Sequence, residues 1–130
     1  MKSLFERMGG LSATRALADE FYDVMEKNKN TTELLNIHPK KLFRTRFNLY
    51  RFLTQWFGGP ELFGKQYMNE NWLELKHRRL NIDEKLKNQW LYCMSTAMNK
   101  LQFNSQLKQE IMTLFEDMIE AMRAIKKETD

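Results

Sequence analysis

The sequence predicts an all-α protein. Apolar residues recur at helical spacing along nearly the whole chain, and no alternating strand pattern runs for more than a few residues. Only 5 glycines and 2 prolines among 130 residues leave little room for the turns of a β fold. The composition, with 42% hydrophobic and 29% charged residues, is that of a globular chain, so we expect a single domain over residues 1–130.

Two helices are predicted at the start of the chain. A short helix covers Lys2 to Met8 and ends at the glycine pair that follows. A second begins near Ser12, a residue type that favours helix N-termini, and fades into the polar loop KNKNTTE at residues 27–33. The apolar stripe of the second helix consists of Leu17, Phe21, Val24 and Met25.

A third helix is expected to begin near Pro39, which suits a first helical position, and to stop at the Gly-Gly-Pro of residues 58–60. Because apolar residues cover two of its stripes, we expect it to be buried between layers or to line a pocket. One stripe consists of Thr45, Leu49, Phe52, Leu53 and Trp56, and the other of Phe43, Phe47, Tyr50 and Phe57.

The rest of the chain predicts three more helices. A looser stretch at residues 61–71 precedes a helix that contains His77, Asp83 caps the next helix, and a long last helix starts near Ser105. The core stripe of the Asp83 helix consists of Leu86, Trp90, Met94, Ala97 and Leu101. That of the last helix consists of Leu107, Ile111, Leu114, Met118, Met122 and Ile125.

Charge and cysteine usage restrict the class of partner. The 21 basic residues are interspersed with 17 acidic ones, so the net charge of +4 indicates a solvated basic surface rather than a nucleic-acid footprint. The longest uncharged run, Asn88 to Asn99, is too short and too polar to cross a bilayer. A lone Cys93 and the absence of a signal core in MKSLFERMGG favour a reducing compartment. We therefore expect a cytoplasmic protein with neither a membrane nor a nucleic acid among its partners.

The stretch WLELKHRRLNI, residues 72–82, contains one of only two histidines. At helical spacing, Leu73, His77 and Leu80 face the same way, so the imidazole points with two leucines. It is either a metal ligand or a core histidine satisfied by a carboxylate or water. No HxxxH, CxxC or ExxH spacing accompanies it, which makes a protein-only metal site improbable. A single inward histidine suits a metal that brings its other ligands, as haem iron does.

Four ordered motifs carry a family resemblance. They are RMGG with LADEFYDVM in residues 7–25, FLTQWFGGP in residues 52–60, LKHRRLNI in residues 75–82 and QWLYCM in residues 89–94. In this order and at these separations they resemble a group II truncated haemoglobin over essentially the whole chain. The resemblance implies a two-over-two sandwich of helices around haem b.

The resemblance also implies roles for individual residues. His77 matches the proximal iron ligand, while Tyr22 and Trp90 match residues that reach the distal side and donate hydrogen bonds to the gas ligand. Thr45 matches the position of the distal histidine of larger globins, and Leu49 is expected over the iron. Without the resemblance, Tyr22 and Trp90 read as boundary and core residues. The expected apolar haem contacts are Phe52, Leu53, Trp72, Leu73, Leu80, Ile82 and Met94.

Two departures from the family pattern concern polar groups. His38 stands where family members carry Phe or Tyr. If it points inward, it adds a third polar group near the ligand; ligation of ferric iron by His38 or by Tyr22 is a minor alternative that the sequence leaves open. The family's arginine before the proximal histidine is Lys76 here, which pairs a haem propionate as a point charge without a bidentate fork. Arg79 is expected to share that role.

Three functions follow from these residues. The first is a haem globin that reversibly binds O2, CO or NO. The second is peroxidase-like or nitric-oxide-detoxifying turnover at the same haem, for which an external reductase supplies electrons. The third is a haem-free helical module that binds RNA or another anion through Lys40, Lys41, Arg44, Arg46 and Arg51. These cations are distributed around a helix with broad apolar stripes, which argues against one continuous binding face.

Overall fold

The computed structural model describes residues 2–62 and 81–129, with side chains up to residue 124. The elements in these ranges are helical, which confirms the all-α prediction. They are α1 (Leu4–Met8), α2 (Leu11–Lys27), a 3-10 turn (Lys29–Thr31), α3 (Thr32–Asn36), α4 (Phe43–Trp56), α5 (Glu84–Lys100) and α6 (Ser105–Thr129). The predicted helix around His77 and most of the looser stretch before it lie outside the described residues.

The first two helices meet at a glycine pair. The Ser3 hydroxyl accepts the Glu6 N–H at 3.1 Å and caps α1, and Gly9 closes α1 in the left-handed region at φ 119°. The prediction of Ser12 as an N-cap was wrong, because α2 already begins at Leu11. The Ser12 hydroxyl instead donates to the Gly9 carbonyl at 3.5 Å. The glycine pair therefore sets both helix ends.

The segment KNKNTTE is helical where a loop was predicted. Asn28 ends α2 and caps the 3-10 turn through its side-chain oxygen, which accepts the Asn30 N–H at 2.8 Å. Thr31 is buried, and its hydroxyl donates to the Met25 carbonyl at 2.9 Å. Polar residues thus satisfy the backbone at a tight corner, and composition alone does not distinguish such a corner from an open loop.

Helix α4 begins later than predicted, at Phe43 instead of near Pro39. Leu42, which precedes the helix, is buried in the core, while the Phe43 side chain is 82% exposed. Phe47 is also exposed, so the prediction that both apolar stripes are buried was wrong for these two residues. Phe57, on the same predicted stripe, is buried.

The last two helices largely follow their predicted patterns. The Asp83 carboxylate accepts the Leu86 N–H at 2.8 Å, which confirms the cap of α5. In α6, Leu107 and Ile111 are buried as predicted, but the stripe then continues through Phe115 and Ile119, while Leu114 is exposed. The difference arises because a step of three residues and a step of four both keep a helical face, and only packing selects between them.

Helix α2 lies at the centre of the packing. It packs against both α4 and α5, and α5 packs against α6. Within the described residues α4 and α5 make little contact with each other, although both face α2. The core that fills this arrangement is contributed by all four long helices. No helix in the described ranges is long and apolar enough to cross a membrane.

A pair of buried hydroxyls joins α2 to α4. The Thr14 and Thr54 oxygens lie 2.8 Å apart, and both residues are fully buried. Thr14 donates to the Leu11 carbonyl at 3.2 Å, so Thr54 is the donor within the pair. Thr54 therefore depends on Thr14 for its acceptor, whereas Thr14 retains a partner without Thr54.

This asymmetry predicts the outcome of a double-mutant cycle. We expect Thr14→Val to lower the free energy of unfolding by about 1–3 kcal/mol, because it leaves the buried Thr54 hydroxyl unpaired. Thr54→Val is expected to cost less, and the double variant less than Thr14→Val alone. Urea unfolding measures each value. Thr113→Val is the control, because Thr113 is an exposed residue of α6. Strictly additive costs would contradict the proposed donor assignment.

A polar junction connects α3 to α5. Gln89 accepts the Leu34 N–H through its side-chain oxygen at 3.1 Å and donates its amide to Glu33 at 2.9 Å. Lys85 pairs with the other Glu33 oxygen at 2.7 Å. These hydrogen bonds, that of Lys85 first, lower the pKa of Glu33 from 4.5 to about 2.

The lowered pKa makes this junction acid-sensitive. Because the folded pKa of Glu33 lies below its unfolded value, its contribution to stability is present above pH 4.5 and is lost as the pH falls towards 2. We expect Glu33→Gln to reduce stability at neutral pH and to weaken the fall in stability across that window, with Lys85→Met acting in the same direction. Urea unfolding at several pH values measures this. Parallel pH profiles for the parent and Glu33→Gln would rule out this role.

Candidate functional site

A continuous series of ring contacts crosses the molecule from α4 through α6 and α5 to α2 and ends at His38, which follows α3. We call it the aromatic arc; its members in order are Phe52, Trp56, Phe115, Trp90, Phe21, Tyr22 and His38. Successive ring centroids are 5.4, 5.3, 4.8, 5.1, 4.9 and 5.5 Å apart. These separations lie in the range in which aromatic rings attract one another. The arc includes three of the predicted distal residues, Tyr22, His38 and Trp90, and one predicted haem contact, Phe52.

Two hydrogen-bond donors on the arc share one apolar neighbour. The rings of Tyr22 and Trp90 both pack against the fully buried Phe21. Neither the Tyr22 hydroxyl nor the Trp90 indole N–H has a hydrogen-bond partner among the described residues, although every fully enclosed side-chain nitrogen and oxygen there has one. The packing therefore holds both rings while their donors stay available to a ligand.

The Tyr22 hydroxyl is held in its neutral form. Burial raises the pKa of Tyr22 above its ordinary value of 10.0, against the opposing effect of the nearby positive charge of Arg46. A neutral phenol keeps its proton and is able to donate it in a hydrogen bond.

His38 lies at the end of the arc with one ring nitrogen engaged. Its Nδ1 is 2.8 Å from the Leu34 carbonyl oxygen. Because a carbonyl only accepts, Nδ1 carries a proton and donates. The ring packs edge-on against Tyr22 and the side chain is half-buried. The structure therefore places the second histidine beside the predicted distal tyrosine.

An arginine on α4 fixes the part of α2 that carries Tyr22. Arg46 donates to the Asp19 carbonyl at 2.9 Å, the Asp23 carboxylate at 2.8 Å and the Glu26 carboxylate at 2.7 Å. Burial opposes its charge, but the hydrogen bonds to Asp23 and Glu26 outweigh that effect and raise the pKa of Arg46. Tyr22 lies between these acceptors along α2, so Arg46 sets its position relative to α4.

The other described site residues lie on α4, on α5 or just before α5. Thr45, Leu49 and Phe52 are half-buried on α4, and Ile82 is half-buried before Asp83. Leu53 and Met94 have no exposed surface and belong to the protein core. Their predicted contacts with haem remain predictions, as do those of the residues that lie outside the described ranges: Trp72, Leu73, Lys76, His77, Arg79 and Leu80.

The described residues fit the haem that the sequence predicts. The half-buried apolar side chains that pack against the core include Leu49, Phe52, Leu86 and Trp90, from the two helices that make little contact with each other. A flat apolar group suits such walls, and the two available donors of Tyr22 and Trp90 suit a small ligand bound on it. Among the described residues no cluster of histidine, cysteine and carboxylate groups is able to hold a metal ion.

Sequence reasoning missed two residues that shape this site. Phe115 carries the arc from Trp56 to Trp90, and it was overlooked because the predicted α6 stripe ran through Leu114. Arg46 was predicted only as one of the cations that could bind an anionic partner, whereas in the structure it pairs with Asp23 and Glu26 of α2. The i, i+4, i+7 spacing of Asp19, Asp23 and Glu26 was the available signal of an acidic face on α2.

Comparison with known proteins gives the family. The model of the family described as bacterial-like globin matches residues 3–124. A group 2 truncated hemoglobin from Bacillus subtilis is 29% identical over 93 residues, which are 72% of this chain and 67% of that relative.

Solved structures agree in fold. A cold-adapted truncated hemoglobin from the Antarctic marine bacterium Pseudoalteromonas haloplanktis is similar with a TM-score of 0.85 and 31% identity, over 93% of this chain and 97% of that one. A group II 2-on-2 hemoglobin from Agrobacterium tumefaciens gives a TM-score of 0.79 and 26% identity, over 91% and 94% of the two chains.

These matches confirm the resemblance to group II truncated haemoglobins that the four sequence motifs indicate. The packing of α2 with α4 and of α5 with α6 corresponds to the two-over-two helical sandwich. The chain belongs to the bacterial-like globin family and is a haem-binding truncated globin.

Proposed function

We propose that residues 1–130 form a single cytoplasmic globin domain that holds haem b and reversibly binds O2 or another diatomic gas such as CO or NO. The observation that carries this proposal is the pair of donors on the aromatic arc, the Tyr22 hydroxyl and the Trp90 indole N–H, which pack on Phe21 without a described protein partner. The family match supports the haem and the class of ligand.

The residues that hold the haem follow from the sequence motifs. His77 is proposed as the proximal ligand, and Lys76 and Arg79 as partners of the propionates. When bound, haem iron supplies reversible coordination of a diatomic gas. The proposed apolar contacts are Phe52, Leu53, Trp72, Leu73, Leu80, Ile82 and Met94.

Tyr22 and Trp90 are proposed to set how long the ligand stays. The indole is a donor only, and the neutral phenol donates as well. A dioxygen ligand with partial negative charge accepts such bonds better than carbon monoxide does. Each bond is expected to contribute about 1–2 kcal/mol, which corresponds to roughly 5- to 30-fold slower release. Two donors therefore suit a site that retains oxygen and releases it slowly.

Three further residues are proposed to complete the distal side. Half-buried Thr45 and Leu49 lie on the same α4 face, where the small polar residue leaves an opening and the leucine keeps water out. His38 contacts the Tyr22 ring and adds a third polar group. A separate reductase is proposed to supply the electron that maintains the ferrous form.

The proximal assignment predicts the spectrum of one variant. We expect the purified, haem-reconstituted protein to give a sharp ferrous–CO Soret band, and His77→Gly to lose that band because the imidazole proposed to hold the iron is missing. Added free imidazole should restore the band by occupying the space that the side chain leaves. Absorbance of the ferric and of the dithionite-reduced, CO-treated protein measures this.

His38→Leu is the matched control, since it removes the other histidine and should keep the band. Spectra that are indifferent to His77, or failure of the parent to retain haem, would contradict the proposed function.

The distal assignment predicts rates. We expect Tyr22→Phe and Trp90→Phe each to raise the O2 dissociation rate by roughly 5- to 30-fold, because each removes one donor and keeps an aromatic ring on Phe21. The CO dissociation rate should change less. Stopped-flow ligand exchange measures both rates, and Tyr50→Phe, a phenol next to Arg15 outside the aromatic arc, is the control. Unchanged O2 dissociation in both distal variants would remove these residues from the site.

A further inference from the structure

The outer face of α4 combines exposed phenylalanines with cations. Phe43 is 82% exposed and Phe47, one turn later, is 43% exposed. Lys40, Lys41 and Arg44 next to them are exposed as well. We call these five residues the basic–aromatic surface. No Asp or Glu occurs between Glu33 and Glu61, so the local chain carries no carboxylate that would repel an anion.

Two more cations border this surface. The Arg15 guanidinium lies 5.9 Å from the Phe47 ring centroid and 5.5 Å from that of Tyr50, and the Arg51 guanidinium lies 5.6 Å from the Phe47 ring. Two arginines thus lie over Phe47, where a nucleic-acid base would otherwise stack. Phe43 is then the one ring of the surface that no described arginine covers, and a single protruding ring among cations suits an apolar layer beneath anionic groups.

We propose that the basic–aromatic surface binds the face of an anionic lipid bilayer. Anionic headgroups accept Lys40, Lys41 and Arg44, while the apolar layer below them accepts the protruding Phe43. Phe47 lies beside the Arg15 and Arg51 guanidiniums and stays with them at headgroup level. Long cationic side chains keep their charges at headgroup level while their stems lie against apolar groups.

A bilayer face as partner departs from the sequence-based expectation of no membrane partner, which rested on the lack of a run able to span a bilayer. The contact proposed here lies in the plane of the interface and needs no span. The described residues contain no helix able to span a bilayer, and α4 would lie along the surface. Arg46 takes no part, because its guanidinium is engaged by Asp19, Asp23 and Glu26 on α2. The surface is also separate from the aromatic arc, so it does not depend on the proposed gas binding.

The test is co-sedimentation of the full-length, haem-loaded protein with large vesicles. We expect binding to vesicles of phosphatidylcholine mixed with phosphatidylglycerol at about 0.1 M salt, weaker binding as salt screens the headgroups, and no binding to pure phosphatidylcholine. Phe43→Ser is expected to lower the partition coefficient by about tenfold or more. Lys40→Gln with Lys41→Gln is expected to lower it by roughly 20- to 30-fold.

The controls separate this proposal from misfolding and from the other anionic partner. Leu114→Ser removes an exposed apolar residue of α6 and should leave binding unchanged. The circular dichroism and Soret spectra of all variants should match those of the parent, because the changed residues are exposed. Absence of vesicle binding, equal binding by Phe43→Ser, or tight binding of a single-stranded RNA by the same residues without vesicle binding would each overturn the proposal.

Discussion

The position of α2 between α4 and α5 is the constraint on which the site depends. Two different interactions fix α2 against α4. Near the start of α2, the buried hydroxyls of Thr14 and Thr54 pair at 2.8 Å. Further along α2, Arg46 donates hydrogen bonds to Asp19, Asp23 and Glu26. The hydroxyl pair resists sliding, because a shift of one residue leaves a buried oxygen without a partner. The arginine fork resists rotation, because its acceptors lie on one face of α2. Tyr22 lies between the two anchors, so its hydroxyl is placed by both.

The Tyr22 and Trp90 donors lack a described partner without breaking the usual rule for buried polar groups, because neither polar atom is fully enclosed by protein. Polar atoms in a protein interior are almost always hydrogen-bonded within the protein, and leaving one unpaired costs free energy. In this structure the rings of Tyr22 and Trp90 are held through their apolar parts, by contacts with Phe21 and Phe115, while their polar atoms lack a described partner. Ring packing thus supplies the rigidity that a hydrogen bond would otherwise give. A ligand that accepted hydrogen bonds from them, as proposed, would meet donors that are already oriented, so that little conformational entropy would be lost on binding.

How much of this was predictable depends on the range of each interaction. The all-α class, the Asp83 cap and the start of α6 follow from spacing and from residues next to one another in the chain. The start of α4 was misplaced because Pro39 is compatible with a first helical turn, whereas burial of Leu42 in the tertiary core accompanies a later start. The exposure of Phe43 was missed for a related reason. Helical periodicity shows which apolar residues share a face, but it does not show whether another element packs on that face. Tyr22 and Trp90 were named through the family motifs, since their shared contact with Phe21 joins helices far apart in sequence.

The cations on and just before α4 differ in their surroundings, because among the described ion pairs the carboxylates of α2 reach only one of them, Arg46. The acid-free segment between Glu33 and Glu61 carries its cations around the helix, and sequence alone treats them as equivalent. In the folded chain the acidic face of α2 engages Arg46, while Lys40, Lys41 and Arg44 form no ion pair with another described residue. Arg46 is thereby used to position Tyr22, the proposed distal tyrosine, while Lys40, Lys41 and Arg44 are exposed close to Phe43 in the sequence. Within this one segment, the acidic face of α2 thus separates a cation that holds two helices together from cations that stay exposed, and the two proposals for this protein rest on that separation.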